Sequence, residues 1–420
     1  MYSIVERDVA GLVAAFNADR EPERISLKYQ ALAGDPFLFL RGTCHLFYQD
    51  FPEAMKRDRA PLAWICGDLH LENFGSYKGD NRLTYFDIND FGEAVLAPAN
   101  WELARFLVSV LVAAVSLRVP PKLAATLCDC FLDAYVAALE NGKARWLERP
   151  LATGMVKELL LSVKTRSRAD FLNSRSKLIA GKRKLRLDGA RTLPVAAQDR
   201  SKVTAFMADY AQRQAIPAFF KVLDVARRIA GTGSLGLERY VILVRGRGGS
   251  AGNFLLDLKY APPSALAPYL ANQQPAWANE AQRVVTTQRR LQAIEPAFLE
   301  AVSIGSRSYV MQELLPSQDR LALGTWRGKA QRLEGVMRSM GQILAWDQLR
   351  SSGRQGAADA DALIAYATDA RSWRPPMLAY AHAYRDQVMA DWMQYKAAFQ
   401  VADRARARLA QKKTAQRSPR

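Results

Sequence analysis

An aspartate and an asparagine five positions apart, Asp68 and Asn73, sit in the stretch Gly67-Asp68-Leu69-His70-Leu71-Glu72-Asn73-Phe74. A second stretch, Asp87-Ile88-Asn89-Asp90-Phe91-Gly92, follows closely. Together they supply what phosphoryl transfer requires: one carboxylate to orient a nucleophile, then an amide and a second carboxylate to hold magnesium. A glycine-rich stretch able to cover nucleotide phosphates, Gly231-Thr232-Gly233-Ser234-Leu235-Gly236, comes only after residue 230. The chain can use both only by folding distant segments into one cleft.

Size permits this. A chain of 420 residues that is 49% hydrophobic can bury a large core and divide into two or three bodies. The N-terminus does not read as a signal peptide, because Glu6, Arg7 and Asp8 interrupt it. The longest apolar stretch, residues 106–117, is too short to span a bilayer and reads as a buried helix. Cys44, Cys66, Cys128 and Cys130 form no CxxC pair, and His45, His70 and His382 are too scattered for zinc, so a reducing cytoplasm is expected. The formal charge is +18, with ten basic residues between 164 and 191 against Asp170 and Asp188, and a basic tail over 404–420. Such runs are solvated faces and disordered ends, or they attract a polyanion: nucleotide, phosphorylated substrate, nucleic acid or anionic lipid.

The pattern predicts a helix over 8–16, short strands at 64–66 and 83–88 with a turn at 78–81, and helices from 101 to 139 broken at Pro120-Pro121. Residues 202–230 read as helical, and 239–244 and 254–259 as two strands around a glycine-rich turn. A helix over 280–291, a strand at 309–312 and helices from 326 to about 407 complete the reading.

Gly231, Gly233 and Gly236 match GxGxxG, which in a dinucleotide site follows a strand and opens a helix. Here a helix-like stretch precedes the pattern and β-branched residues follow it. That suits a loop folded over phosphates, with Ser234 among its residues, and equally an ordinary turn. Lys259 ends the second following strand and Glu280 begins the next helix. In kinases such a lysine reaches the α/β-phosphates and pairs with a helix glutamate. Lys259 alone also fits an exposed edge-strand lysine.

Asp68 and Asn73 have the D-x-x-x-x-N spacing of kinase catalytic loops. With His70, the stretch resembles the H-G-D-x-H-x-x-N loop of small-molecule kinases, except that Cys66 replaces the first histidine. Gly-Asp-x-His also opens a two-metal phosphoesterase signature, but the chain contains no Gly-Asn-His and too few further histidines for it. For the second metal carboxylate, spacing favours Asp87. Asp90 is favoured because Asp90-Phe91-Gly92-Glu93-Ala94, then Trp101-Glu102-Leu103-Ala104, resembles a run in aminoglycoside-type kinases. Asn89 reads as structural.

The blocks 36–42, 66–75, 86–91 and 233–236, with Lys259, residues 283–285 and 309–312, resemble a bacterial family labelled domain of unknown function 2252, over roughly 25–400. The resemblance implies a bacterial cytosolic protein with a kinase-like core, and no particular reaction.

The expectation is an α+β, protein-kinase-like two-lobe fold with circularly permuted lobe order. A helical C-lobe (1–221) carries the catalytic and metal loops, and a β-rich nucleotide lobe spans 222–318. Helices at 319–408 return to the C-lobe, and 409–420 form a basic disordered tail. A site defined by spatial convergence tolerates such an order. ATP would lie against Gly231, Gly233, Ser234 and Gly236, with Lys259 neutralising its phosphates and Glu280 placing Lys259. Mg2+ would sit on Asn73 with Asp87 or Asp90. Asp68 would deprotonate an acceptor hydroxyl, of a small molecule or a protein, while His70 supports the loop or meets the γ-phosphate. Arg41 would bind substrate phosphate or make a structural pair. A catalytically silent nucleotide-binding scaffold, a nucleic-acid-binding protein and a nucleotidyl transferase remain as alternatives.

Overall fold

The computed structural model describes residues 4–51, 59–270, 274–314 and 319–417, with side chains to residue 405. The chain begins with helices α1 (Val9–Phe16), α2 (Pro22–Gly34), α3 (Pro36–Gly42) and α4 (Cys44–Asp50). Strands β1 (Leu62–Ile65), β2 (Phe74–Lys78), β3 (Thr84–Ile88) and β4 (Val95–Pro98) precede the long helices α5 (Ala99–Ser116) and α6 (Pro121–Glu140). Then come β5 (Leu147–Glu148), α7 (Gly154–Lys164), α8 (Arg168–Arg175), β6 (Ser176–Ile179), β7 (Lys182–Leu185), β8 (Thr192–Leu193) and α9 (Ala197–Gln212). Three strands, β9 (Val222–Arg228), β10 (Arg239–Val244) and β11 (Phe254–Tyr260), lead to α10 (Ala267–Leu270) and α11 (Glu280–Leu291). The chain closes with β12 (Glu300–Ile304), β13 (Arg307–Glu313), β14 (Asp319–Arg320), α12 (Ala330–Ser351), α13 (Ala360–Thr368) and α14 (Ala370–Arg417).

Mixed helix and sheet is therefore the observed class. Helix α5 is largely apolar and buried on every face, sixteen of its eighteen residues lying inside, so it can only be a central element. Among the described residues it is the one helix long and apolar enough to cross a membrane, and 89% of it lies inside the protein. Helices α3, α6 and α14 pack against it, and α12 lies along α6. Gly341 permits that approach, because a Cβ there would stand 2.3 Å from the Phe131 carbonyl oxygen.

Strands β9, β10, β11, β13 and β12, with short β8, form an antiparallel sheet in the order β12-β13-β11-β10-β9-β8. One face packs Tyr240, Ile242, Leu256 and Leu258 against Val203, Met207 and Tyr210 of α9. The other packs Val241, Leu243 and Leu255 with Leu172 and Leu185. Alternation along β10 thus serves two cores, as period-two geometry demands.

Two readings need correction. Residues 222–228 form a strand, because pairing with β10 outweighs their weak helical pattern. The basic run 164–191 forms a helix and a hairpin, and seven of its ten basic residues are exposed, as a solvated face requires. Arg168 lies over the Phe254 ring and pairs with Glu313, and Arg183 is buried on the Ser250 carbonyl. Backbone helix continues to Arg417, through most of the stretch read as a disordered tail. Besides β9, the strands β2, β4, β5, β6, β7, β8, β12 and β14 were not anticipated, and the expected boundary at 318 lies outside the described residues.

Candidate functional site

Strand β1 delivers Cys66 and Gly67 into a turn that only glycine can make. Gly67 has φ +81°, and a Cβ would lie 2.2 Å from the Glu93 carbonyl oxygen. The turn is held from below. Tyr48 Oη donates to the Gly67 carbonyl at 2.6 Å, and the Cys66 amide donates to Glu102 Oε1 at 2.7 Å. Burial in α5 pushes the Glu102 carboxyl up to about 7. One turn further along α5, the wholly buried Arg105 donates from Nε and Nη2 to Asp68 Oδ1, at 3.1 and 2.7 Å. Asp68 keeps 19% of its side chain accessible and lines the cleft. Its orientation is set by two charge-assisted guanidinium hydrogen bonds converging on Oδ1.

Asn73 ends a short 3-10 turn, and its Nδ2 donates to the Asp68 carbonyl at 2.7 Å, leaving the carboxamide oxygen for a metal. The Asn89 amide donates to the Asn73 carbonyl at 2.8 Å, which ties the two early loops together. Asn89 Nδ2 donates to the Ser76 carbonyl, whereas its buried Oδ1 has no partner among the described residues. Beside it, Asp90 faces the cleft with 48% of its side chain accessible, and Lys259 Nζ stands 3.1 Å away across 169 residues of sequence. Desolvation pushes the Asp90 carboxyl up, but Lys259 outweighs it and holds it at about 2. Among the described residues no three His, Cys, Asp or Glu side chains cluster as a metal site. The donor set here is oxygen only, from Asp90, Asn73 and the orphaned Asn89 Oδ1. That fits magnesium, which takes one or two protein carboxylates and completes its shell with water and phosphate.

The glycine loop joins β9 to β10. Successive turns close it through the amides of Ser234, Leu235 and Leu237, in which those of Gly231, Gly233 and Gly236 take no part. Gly231 and Gly236 have φ of +73° and +85°. All three glycines and Ser234 line a cleft of about 1430 Å³, as do Asp68, Asn73, Asp90 and Lys259. The two distant parts of the chain do meet.

Four expected site residues lie elsewhere. His70 is buried beside Phe37, and Arg41 Nε donates to its Nε2 at 3.2 Å. Burial, then the Arg41 charge, hold the ring uncharged, so it braces the loop without facing the cleft. Arg41 itself pairs with Glu72, which resolves its role as structural. Glu280 pairs with Arg283 at 2.6 Å and not with Lys259. Arg283 is the residue that matters on α11: it donates to the carbonyls of Gly92, Ala94 and Pro262 and so fixes the loop carrying Asp90. Asp87 points away from the cleft, towards Asp347 and Arg350 of α12.

Burial raises both Asp87 and Asp347, and the neighbouring carboxylate raises Asp347 further, so the pair retains a proton. As pH climbs through the ordinary carboxylate range near 4, the unfolded chain ionises first, and stability falls with rising pH until the pair also ionises. Asp87→Asn can still accept from the Ile88 amide, as Asp87 Oδ1 does at 2.7 Å. It should raise stability near pH 8 by about 1 kcal/mol and flatten the slope, measured by urea unfolding from pH 5 to 8. A steeper slope in the variant would contradict the shared proton.

Sequence reasoning missed Arg20, Lys28 and the segment around them. Arg20 Nη1 donates to the Gly233 and Leu235 carbonyls at 2.5 and 3.0 Å, and the Glu21 amide to the Gly236 carbonyl at 2.9 Å. Lys28 Nζ donates to Asn17 Oδ1 at 2.9 Å and to the Gly233 carbonyl at 3.3 Å. Nothing in a charged, helix-opening stretch marks it as a partner of a loop two hundred residues away.

Over residues 20–398 the chain matches a bacterial family described as uncharacterized proteins conserved in bacteria, DUF2252, and it belongs to that family. No curated protein and no solved structure matches it.

Proposed function

We propose that this protein is a magnesium-dependent, ATP-using phosphotransferase of kinase-like fold, its two lobes in circularly permuted order, acting in the cytoplasm on a hydroxyl acceptor. A small molecule is the preferred acceptor. The observation that carries the reading is the Lys259–Asp90 ion pair at 3.1 Å within the cleft that also takes in Asp68, Asn73 and the glycine loop. A lysine facing the metal carboxylate is the arrangement that neutralises phosphates and metal-bridged charge together. When bound, Mg2+ would be held by Asp90 and Asn73 and would supply charge neutralisation between the phosphate oxygens. Asp68, oriented by Arg105, would accept the proton of the attacking hydroxyl. Lys259 would sit on the nucleotide phosphates, and the amides of Gly231, Gly233 and Gly236 would face them from the opposite wall.

The contrast between Asp90 and Asp87 tests the assignment. Asp90→Asn is expected to lower magnesium-dependent ATP affinity by about 10–100-fold in calorimetric titration, whereas Asp87→Asn should leave it within about twofold. Equal losses in both, or none in Asp90→Asn, would refute the metal assignment. Binding with no turnover against a cell-extract acceptor pool would instead identify a silent nucleotide-binding protein.

A further inference from the structure

Buried cations in this protein are generally matched by acids. Arg105 has Asp68, Arg239 and Arg228 share Asp257, and Arg24 has Glu21. Arg20 and Lys28 are the exceptions that sit together. Lys28 is 0% exposed, and among the described residues no carboxylate forms an ion pair with either. Their only acceptors there are Asn17 and the carbonyls of Gly233 and Leu235. Arg20 uses Nη1 alone for these bonds. Its Nε and Nη2 make none among the described residues, and the side chain lines the cleft. Burial pushes the Lys28 ammonium well below its ordinary range, and an anion arriving beside Arg20 would offset that cost.

Their position says which anion. Both bind the carbonyl of Gly233, at the tip of the glycine loop, where a Cβ would stand 3.4 Å from the Arg41 carbonyl oxygen. Arg41 pairs with Glu72 in the same loop as Asp68. The charges of Glu93 and Asp68 are felt at Lys28. This end of the cleft is therefore the Asp68 end, where the transferable phosphate must lie. Lys259 and Asp90 hold the other side of the phosphate chain. For the cations at the loop, Arg20, Lys28, Arg228, Arg239 and Lys259, the only ion-pair partners among the described residues are Asp257 and Asp90, with Glu93 acting on Arg20 and Lys28 through space. That excess of positive charge suits a triphosphate better than a diphosphate.

We propose that the segment around residues 16–28 is part of the nucleotide site, and that Arg20, backed by Lys28, binds the terminal phosphate and makes the protein selective for nucleoside triphosphates. The inference rests on the ATP reading given above. Lys28 does not line the cleft, so it acts by holding Arg20 and the loop tip, and Arg20 makes the direct contact.

The test is calorimetric titration of full-length wild-type protein, Arg20→Met and Arg20→Lys with Mg-ATP and Mg-ADP, with thermal melting as a check on folding. The wild type should prefer Mg-ATP by at least about tenfold. Arg20→Met should weaken Mg-ATP by about 10–100-fold while leaving Mg-ADP within about twofold, and Arg20→Lys should keep part of the preference. Equal weakening of both nucleotides would mean that Arg20 merely shapes the loop, and an unchanged preference would mean that it touches no phosphate. Either result overturns the proposal while leaving the ATP reading intact. A wild-type protein that binds neither nucleotide would bring down the ATP reading and this inference with it.

Discussion

Asp68→Asn should reduce Mg-ATP turnover, measured with a cell-extract acceptor pool, by about 10²–10⁴-fold while leaving Mg-ATP affinity within a few-fold. The amide keeps the shape of the side chain and can still accept from Arg105 at the position where Asp68 Oδ1 does so now. It cannot take a proton from a hydroxyl. The variant will also lose some stability, because Arg105 is wholly buried and would keep its charge without a counter-ion, so turnover must be read well below the melting transition. Loss of affinity in step with turnover would place Asp68 in nucleotide binding, and unchanged turnover would remove it from the chemistry.

The largest structural effect is expected at Arg105. Its guanidinium is fully buried, holds Asp68 at 2.7 Å, donates to the Leu40 carbonyl and lies 5.1 Å from the Phe47 ring centroid. Arg105→Leu leaves a carboxylate with limited access to water and a void, while the Leu40 carbonyl keeps only the Thr43 amide as donor. Removing one partner of such a pair costs about 3–5 kcal/mol, which should appear as a fall in the urea midpoint. The double variant Arg105→Leu with Asp68→Asn should recover part of that loss, since no lone charge then remains. If the double variant is the less stable, charge burial is not the reason for the cost.

The early loops were legible because their residues are close in sequence and their geometry is local. A glycine that must turn and an asparagine that reaches back five residues leave a readable pattern, and Asp68 and Asn73 line the cleft; the strand-end carboxylate that spacing favours, Asp87, does not, and Asp90 does. Helix α11 was read with its observed limits, Glu280–Leu291, because an asparagine cap and an apolar stripe mark it. Its role was misread. On a helix, a glutamate's nearest cation is three residues away, and Arg283 lies there, whereas Lys259 is supplied by another element.

Sequence alone therefore determined the chemistry on offer: which acids, amides and glycines are present, and at what local spacing. It also determined most helices and the paired strands β10 and β11, since periodicity is a property of neighbours along the chain. Only the tertiary structure decided that Asp90, and not Asp87, faces Lys259, that His70 is packed away from the cleft, and that Arg20 and Lys28 underlie the glycine loop. Those outcomes depend on which face each element buries and on contacts across more than 160 residues, such as the 169 between Asp90 and Lys259. Burial and long-range pairing are set by the whole core at once, and no local pattern encodes them.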